Sequence, residues 1–260
     1  MSAAVLLPVV ILVVLKGGPI MLACFLALLS AIAMTEFYAM ALPERKMEQW
    51  LADMAGLALI FIPFVGSEKI ILSVIGLLFI VFSLLFLFRI RSIETAAQEI
   101  AFALLALLYI PFLLMHLVLL RQTPYGVQWL FVIMLIVMTN DSAAYYTGST
   151  FGKHRLYPLV SPKKSVEGAI GGLFGSLCGT MLAKFTFFPQ LTFVDAIVTA
   201  LVIGMVGQIG DLFESLLKRS FGVKDSGAII PGHGGVLDRL DSILFAAPIT
   251  YYYVLFFFRG

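Results

Sequence analysis

The sequence predicts an all-α, polytopic integral membrane helical bundle of about nine transmembrane helices. Three observations predict it. Of 260 residues, 61% are hydrophobic and only 12% charged, whereas soluble domains carry roughly 25% charged residues. Mean hydropathy is +1.05. Apolar runs recur at the length a bilayer demands, about 20 residues per spanning helix.

Taken in order, the runs are 3–16, 19–42, 50–65, 69–89, 98–120, 125–148, 165–187, 192–217 and 236–258. The first begins almost at Met1, without a basic leader region or a small-residue cleavage site, and reads as a retained span. The first and third are short, as tilted or re-entrant segments would be, so eight spans is the alternative count. The sixth run carries Asp141. The seventh opens on Ser165-Val166-Glu167, a capping pattern, and continues into a Gly-rich GAIGG that lets helices approach closely. The eighth carries Asp211 and Glu214, and the ninth opens with Asp238 and Asp241. The chain thus divides by character. Residues 1–120 form N-terminal membrane helices with short loops. Residues 121–260 form a catalytic membrane region with cytoplasmic loops 149–164 and 218–235.

Composition also excludes. A net charge of +2, spread over many loops, does not suit nucleic acid. Cys24 and Cys178 both lie in apolar runs and suit small buried hydrophobes better than a disulfide or a metal site. With nine spans, 12 of the 17 basic residues fall in the loops after helices two, four, six and eight or at the edge of helix nine. That asymmetry puts those loops and the N-terminus in the cytoplasm.

The polar residues concentrate between Gly207 and Asp241. Ionisable groups beside a bilayer core are expensive and point to function. Asp211, Glu214 and Lys218 stand at i, i+3 and i+7, one face of a helix. Asp211 and Lys218 are then roughly 10 Å apart along the axis. That spacing suits a metal at depth and a phosphate nearer water; for Glu214 and Lys218 a plain intrahelical ion pair is the alternative. Asp238 and Asp241, at i and i+3, share a face at a helix start, where a carboxylate can also serve the helix dipole. With Asp211 opposite, the two suit Mg²⁺, which takes carboxylate and phosphate oxygens. Gly232, Gly234 and Gly235 expose backbone N–H groups to an anion, and His233 sits among them. A second polar island, 140–172, holds Asp141, Ser161, Lys163 and Lys164. The adjacent lysines suit phosphate, with anionic headgroups as the plainer alternative. Glu36 is a weaker candidate, a buried partner or interface anchor.

These residues resemble a known signature. Ser215, Lys218, Arg219, Lys224, Asp225, Gly227, Pro231, His233, Gly234, Gly235, Asp238, Arg239 and Asp241 fit S-x-x-K-R-x4-K-D-x-G-x3-P-x-H-G-G-x-x-D-R-x-D. That pattern resembles the phosphatidate cytidylyltransferases, or CDP-diacylglycerol synthases. Asp141, Phe151-Gly152-Lys153 and Ser161 through Gly168 are similar to the same family. The resemblance covers about 125–245; the first 120 residues share only hydropathy.

The resemblance implies transfer of the cytidylyl group of CTP to phosphatidic acid, giving CDP-diacylglycerol and pyrophosphate. It implies Mg²⁺ dependence, with a monovalent cation as a possible second ion, and a homodimer in the inner membrane with its site facing the cytoplasm. On that reading Asp211 and Asp238 are the principal metal ligands, with Asp241 and Asp141 beside them. Lys163, Lys164, Lys218, Arg219 and Arg239 neutralise phosphates. Ser161, Lys224, His233, Gly234 and Gly235 help hold the nucleotide and lipid. Alternatives are a CTP-dependent lipid kinase, a cytidylyltransferase for another lipid, and, from another class, an ion-coupled transporter.

Overall fold

The structure, a computed structural model, describes residues 2–66, 68–229 and 234–260. Its helices are α1 (Ser2–Lys16), α2 (Pro19–Ala41), α3 (Lys46–Phe61), α4 (Glu68–Phe88), α5 (Ile93–Tyr109), α6 (Pro111–Gln122), α7 (Gly126–Phe151), α8 (Val166–Thr186), α9 (Phe193–Ser220) and α10 (Leu237–Phe256). Counted with α5 and α6 as one interrupted helix, these match the nine expected runs one for one. Among the described residues, seven helical stretches are long and apolar enough to cross a membrane, including Ile93–Gln122 as a single stretch. On length and hydropathy alone, seven of the nine expected helices qualify as spans. α1 has only 15 residues, and the first turns of α10 carry Asp238, Arg239 and Asp241.

The break at Ile110 has a local cause. Pro111 has no N–H to continue the ladder, and its ring crowds the preceding turn. A second departure lies in the expected loop 149–164. Part of it pairs as an antiparallel hairpin, β1 (Arg155–Tyr157) against β2 (Ser161–Ser165). Ser165 then caps α8 as expected, its Oγ accepting from Gly168 N–H at 3.1 Å. Glu167 turns back instead and accepts from the Lys153 and His154 amides at 3.1 and 3.2 Å. The hairpin is thereby tied to the helix that follows it.

The chain folds as two compact units. The first contains Met1–Val118 and Asp225–Leu237; the second contains Leu119–Lys224 and Asp238–Gly260. The core of the first is apolar, with Met34, Phe37, Ile60 and Ala106 fully buried. It also contains a charged knot. Buried Arg45 reaches Glu48 at 3.3 Å, Glu99 and the Arg89 carbonyl (2.7 Å), and lies over the Phe86 ring at 5.2 Å. Arg89 closes the knot on Glu48 at 3.1 Å.

The second unit is organised by α7, α8 and α9. Trp129 is fully buried and packs edge-on against Phe188 and Phe258, with centroids 5.3 and 5.1 Å away. At the other end α7 and α8 meet almost backbone to backbone. A Cβ on Gly168 would lie 2.9 Å from the Ala144 carbonyl and 3.2 Å from Gly148 Cα. Small residues at helical spacing permit that approach, as in other membrane helix pairs. Asn140 fills the seam with hydrogen bonds, donating to Ser176 Oγ at 2.8 Å and the Gly204 carbonyl at 3.3 Å. Gln208 donates to Asn140 Oδ1 at 3.0 Å and to the Ala169 carbonyl at 2.9 Å. Three helices are thus pinned beside Asp141 and one turn from Asp211.

Candidate active site

Above that pinned seam the second unit encloses a cavity of about 570 Å³. Asp141 from α7 and Asp211 from α9 supply its acidic wall; Arg155, Lys163 and Lys164 from the hairpin supply its basic one. The Lys164 ammonium pairs with the Asp211 carboxylate, and Arg155 donates to the Lys163 carbonyl at 3.4 Å. Gly148, Gly152 and Gly168 contribute bare backbone to the lining.

Asp241, in the second turn of α10, lies near these two acids without lining the cavity. Asp241 lies close enough to feel the charges of Asp211 and Asp141, and Asp141 that of Asp211. Lys164 acts on both Asp141 and Asp241, and Arg239 on Asp141. Gly210 lets α10 approach, since a Cβ there would sit 2.6 Å from the Asp241 carbonyl. Three like charges at close range are costly without a cation. Hard oxygen donors in this number suit a divalent ion such as Mg²⁺. As the side chains stand, among the described residues no three acidic, His or Cys groups are at metal-holding geometry.

Asp238 is engaged by a lysine of α9. Its Oδ1 receives Lys218 Nζ at 2.5 Å, and the same ammonium meets Glu214 Oε2 at 2.5 Å. Glu214 is 1% exposed and Lys218 9%, so this pair and Asp238 form a buried brace between α9 and α10. The intrahelical alternative for Glu214 and Lys218 is what the structure contains, with Asp238 added as a third member. None of the three lines the cavity. The carboxylate that joins Asp211 is that of Asp241.

The remaining sequence candidates scatter. Arg219 is exposed and donates to the Val223 carbonyl at 3.2 Å, closing the end of α9. Lys224 is exposed, and Arg239 is exposed beside the acids. Ser161 opens β2 and does not line the cavity. Gly234 adopts a left-handed φ of 82°, a conformation that glycine takes without strain. Gly235 is buried against Glu36 in the first unit. Gly232 and His233 lie outside the described residues.

Sequence reasoning missed Arg155, Asn140 and Gln208. Arg155 enters the cavity only because a hairpin forms, and the short strands give little periodicity to read. Asn140 and Gln208 had a usable signal: each is an amide in an apolar helix within three residues of a candidate acid.

The model of the cytidylyltransferase family matches residues 1–257. A protein named phosphatidate cytidylyltransferase from Staphylococcus aureus (strain COL) is 36% identical over 254 residues, 96% of this chain and 95% of its own. One of the same name from Staphylococcus saprophyticus is 34% identical over 253 residues, again 96% and 95% of the two chains. Another from Bacillus subtilis (strain 168) is 40% identical over 133 residues, 51% of this chain and 49% of its own. With the match running nearly end to end, the chain belongs to the cytidylyltransferase family.

Proposed function

We propose that the cavity of the second unit is where CTP meets phosphatidic acid, with Mg²⁺ held by Asp211, Asp241 and Asp141. The reaction is that of a phosphatidate cytidylyltransferase: CTP and phosphatidate give CDP-diacylglycerol and pyrophosphate. One observation carries the assignment of place. Asp141 and Asp211 line a cavity together with Arg155, Lys163 and Lys164, and Asp241 of a third helix lies close to both acids.

The lipid phosphate is itself the nucleophile, so no activated serine or strong base is required. One of its oxygens attacks the α-phosphorus of CTP, and the bond to the bridging oxygen of pyrophosphate breaks in line. The protein's part is positioning and charge neutralisation, as in phosphoryl transfer generally. Lys163, Lys164 and Arg155 provide fixed positive charge for the triphosphate and the lipid headgroup. When bound, the metal would stabilise charge on the attacking and leaving oxygens. The Lys218–Asp238–Glu214 brace holds α9 and α10 so that Asp211 and Asp241 face each other. Among the motif bases, Lys218 therefore works through structure, while the hairpin lysines meet substrate.

We place the site on the cytoplasmic side of the inner membrane and the chain in a homodimer. The skew of basic residues toward one set of loops supports the first, and family resemblance the second. The direct test is to incubate purified protein with labelled CTP, Mg²⁺ and phosphatidic acid. A labelled liponucleotide with stoichiometric pyrophosphate is expected. CDP with a newly phosphorylated lipid would make the chain a lipid kinase, and no product with phosphatidic acid but product with another lipid phosphate would change the acceptor.

A further inference from the structure

Glu36 is a carboxylate on α2, 5% exposed, with Ala33, Met34, Phe37 and Tyr38 buried around it. A charge in such a place is costly and needs strong partners. Among the described residues its hydrogen-bond partners come from one segment, which starts 190 residues later. Oε1 accepts Val236 N–H at 3.0 Å. Oε2 accepts Leu237 N–H at 2.9 Å and the Ser226 hydroxyl at 3.3 Å. The carboxylate fits only because the segment is bare beside it: a Cβ on Gly227 would lie 2.5 Å from Oε1, and one on Gly235 2.5 Å from Oε2.

Two consequences follow from these contacts. Ser226 opens the glycine segment and Val236–Leu237 close it, so a single side chain ties its two ends together. Leu237 is also the first residue of α10, so the carboxylate takes the amides that a helix start leaves unpaired and favours the positive end of its dipole. α10 is continuous from there. Asp238 is the next residue, and Asp241 follows one turn later.

We infer that Glu36 is a positioning residue for the reaction: it clasps the 226–236 segment and sets the start and rotation of α10, and with them the directions of Asp238 and Asp241. This rests on the functional reading of those two acids given above. Glu36 itself touches no reacting atom; its oxygens are already committed to backbone and hydroxyl donors. A glutamine in its place would keep the size but turn an NH₂ group toward N–H donors.

The test uses the full-length protein in detergent or nanodiscs, comparing wild type, Glu36→Gln and Glu36→Asp. In Glu36→Gln we expect kcat to fall about 10- to 100-fold while KM for CTP changes less than threefold. Amide exchange followed by mass spectrometry should rise in peptides covering 226–240 and stay unchanged in α2 and in the hairpin 155–165. Glu36→Asp keeps the charge and should recover more than half of the lost kcat. Wild-type kcat with unchanged exchange at 236–237 in Glu36→Gln overturns the inference. So does exchange that rises throughout α2 and α5, which would make Glu36 a general stability element. If wild type forms no liponucleotide, the functional reading fails, and the exchange pattern alone decides whether the clasp exists.

Discussion

The charged knot of the first unit and the carboxylates around the cavity of the second treat charge in opposite ways. In the first, the buried ions are matched: Arg45 lies among Glu48, Glu99 and a carbonyl, and Arg89 shares Glu48. In the second, like charges are crowded, Asp141 with Asp211 and Asp241, beside a cavity rather than inside packing. A matched knot is a structural device, and its members lose their value if one is removed. A crowd of carboxylates at an open space has no such self-sufficiency and gains by binding a cation. Burial alone would rank Arg45 and Glu48 above Asp211 as notable residues; the sign of the neighbours reverses that order.

The contrast can be broken by substitution. Asp211→Ala should show the largest effect, a loss of about 10³-fold or more in kcat, with insertion and thermal stability near wild type; activity within tenfold of wild type would remove Asp211 from the site. Arg45→Ala should act in the other sense. It leaves buried Glu48 with Arg89 alone and takes the arginine from Glu99, and should cost about 3 kcal/mol of stability, read as a lower melting temperature in detergent, while surviving folded protein keeps its kcat. A lower kcat at unchanged melting temperature would bring the first-unit knot into the chemistry.

Smaller effects sharpen the same comparison. Lys163→Ala should raise KM for CTP or for phosphatidic acid about tenfold, roughly 1.4 kcal/mol, and the substrate affected tells which phosphate the hairpin holds. No change in either KM would return Lys163 to the surface. Least of all, Glu44→Gln removes an exposed pair with Arg91, 3.3 Å apart, and should alter stability by less than about 0.5 kcal/mol. A larger loss would mean that the rim of the first unit is more than solvated surface.

What the sequence made legible follows from the range of each interaction. The face shared by Asp211, Glu214 and Lys218, the Ser165 cap and the helix start at Asp238 are all local, set within a few residues by helix geometry. They were readable, and α9, α8 and α10 carry them as expected. The division of labour among the acids was not readable. Spacing makes Asp238 and Asp241 equivalent, yet Lys218 reaches across from α9 to take Asp238 and leaves Asp241 to join Asp211. Which acid a lysine captures depends on how two helices are rotated, and no periodicity encodes that. Glu36 shows the same limit at longer range, since its partners are named only once α2 and the segment 226–237 fold together. The break at Pro111, by contrast, was plainly written in the chain; the apolar run 98–120 simply hid it.

The glycine seam between α7 and α8 bears on how such a site could move. Where backbones touch at Gly148 and Gly168 there are no side-chain rotamers to absorb sliding, so the two helices behave as a single rigid plate. Asp141 on one and the Ser165-capped hairpin on the other travel with that plate. α9 is fastened to the same plate by the Asn140 and Gln208 hydrogen bonds, so Asp211 is carried with Asp141 and the two acids keep their spacing whatever the plate does.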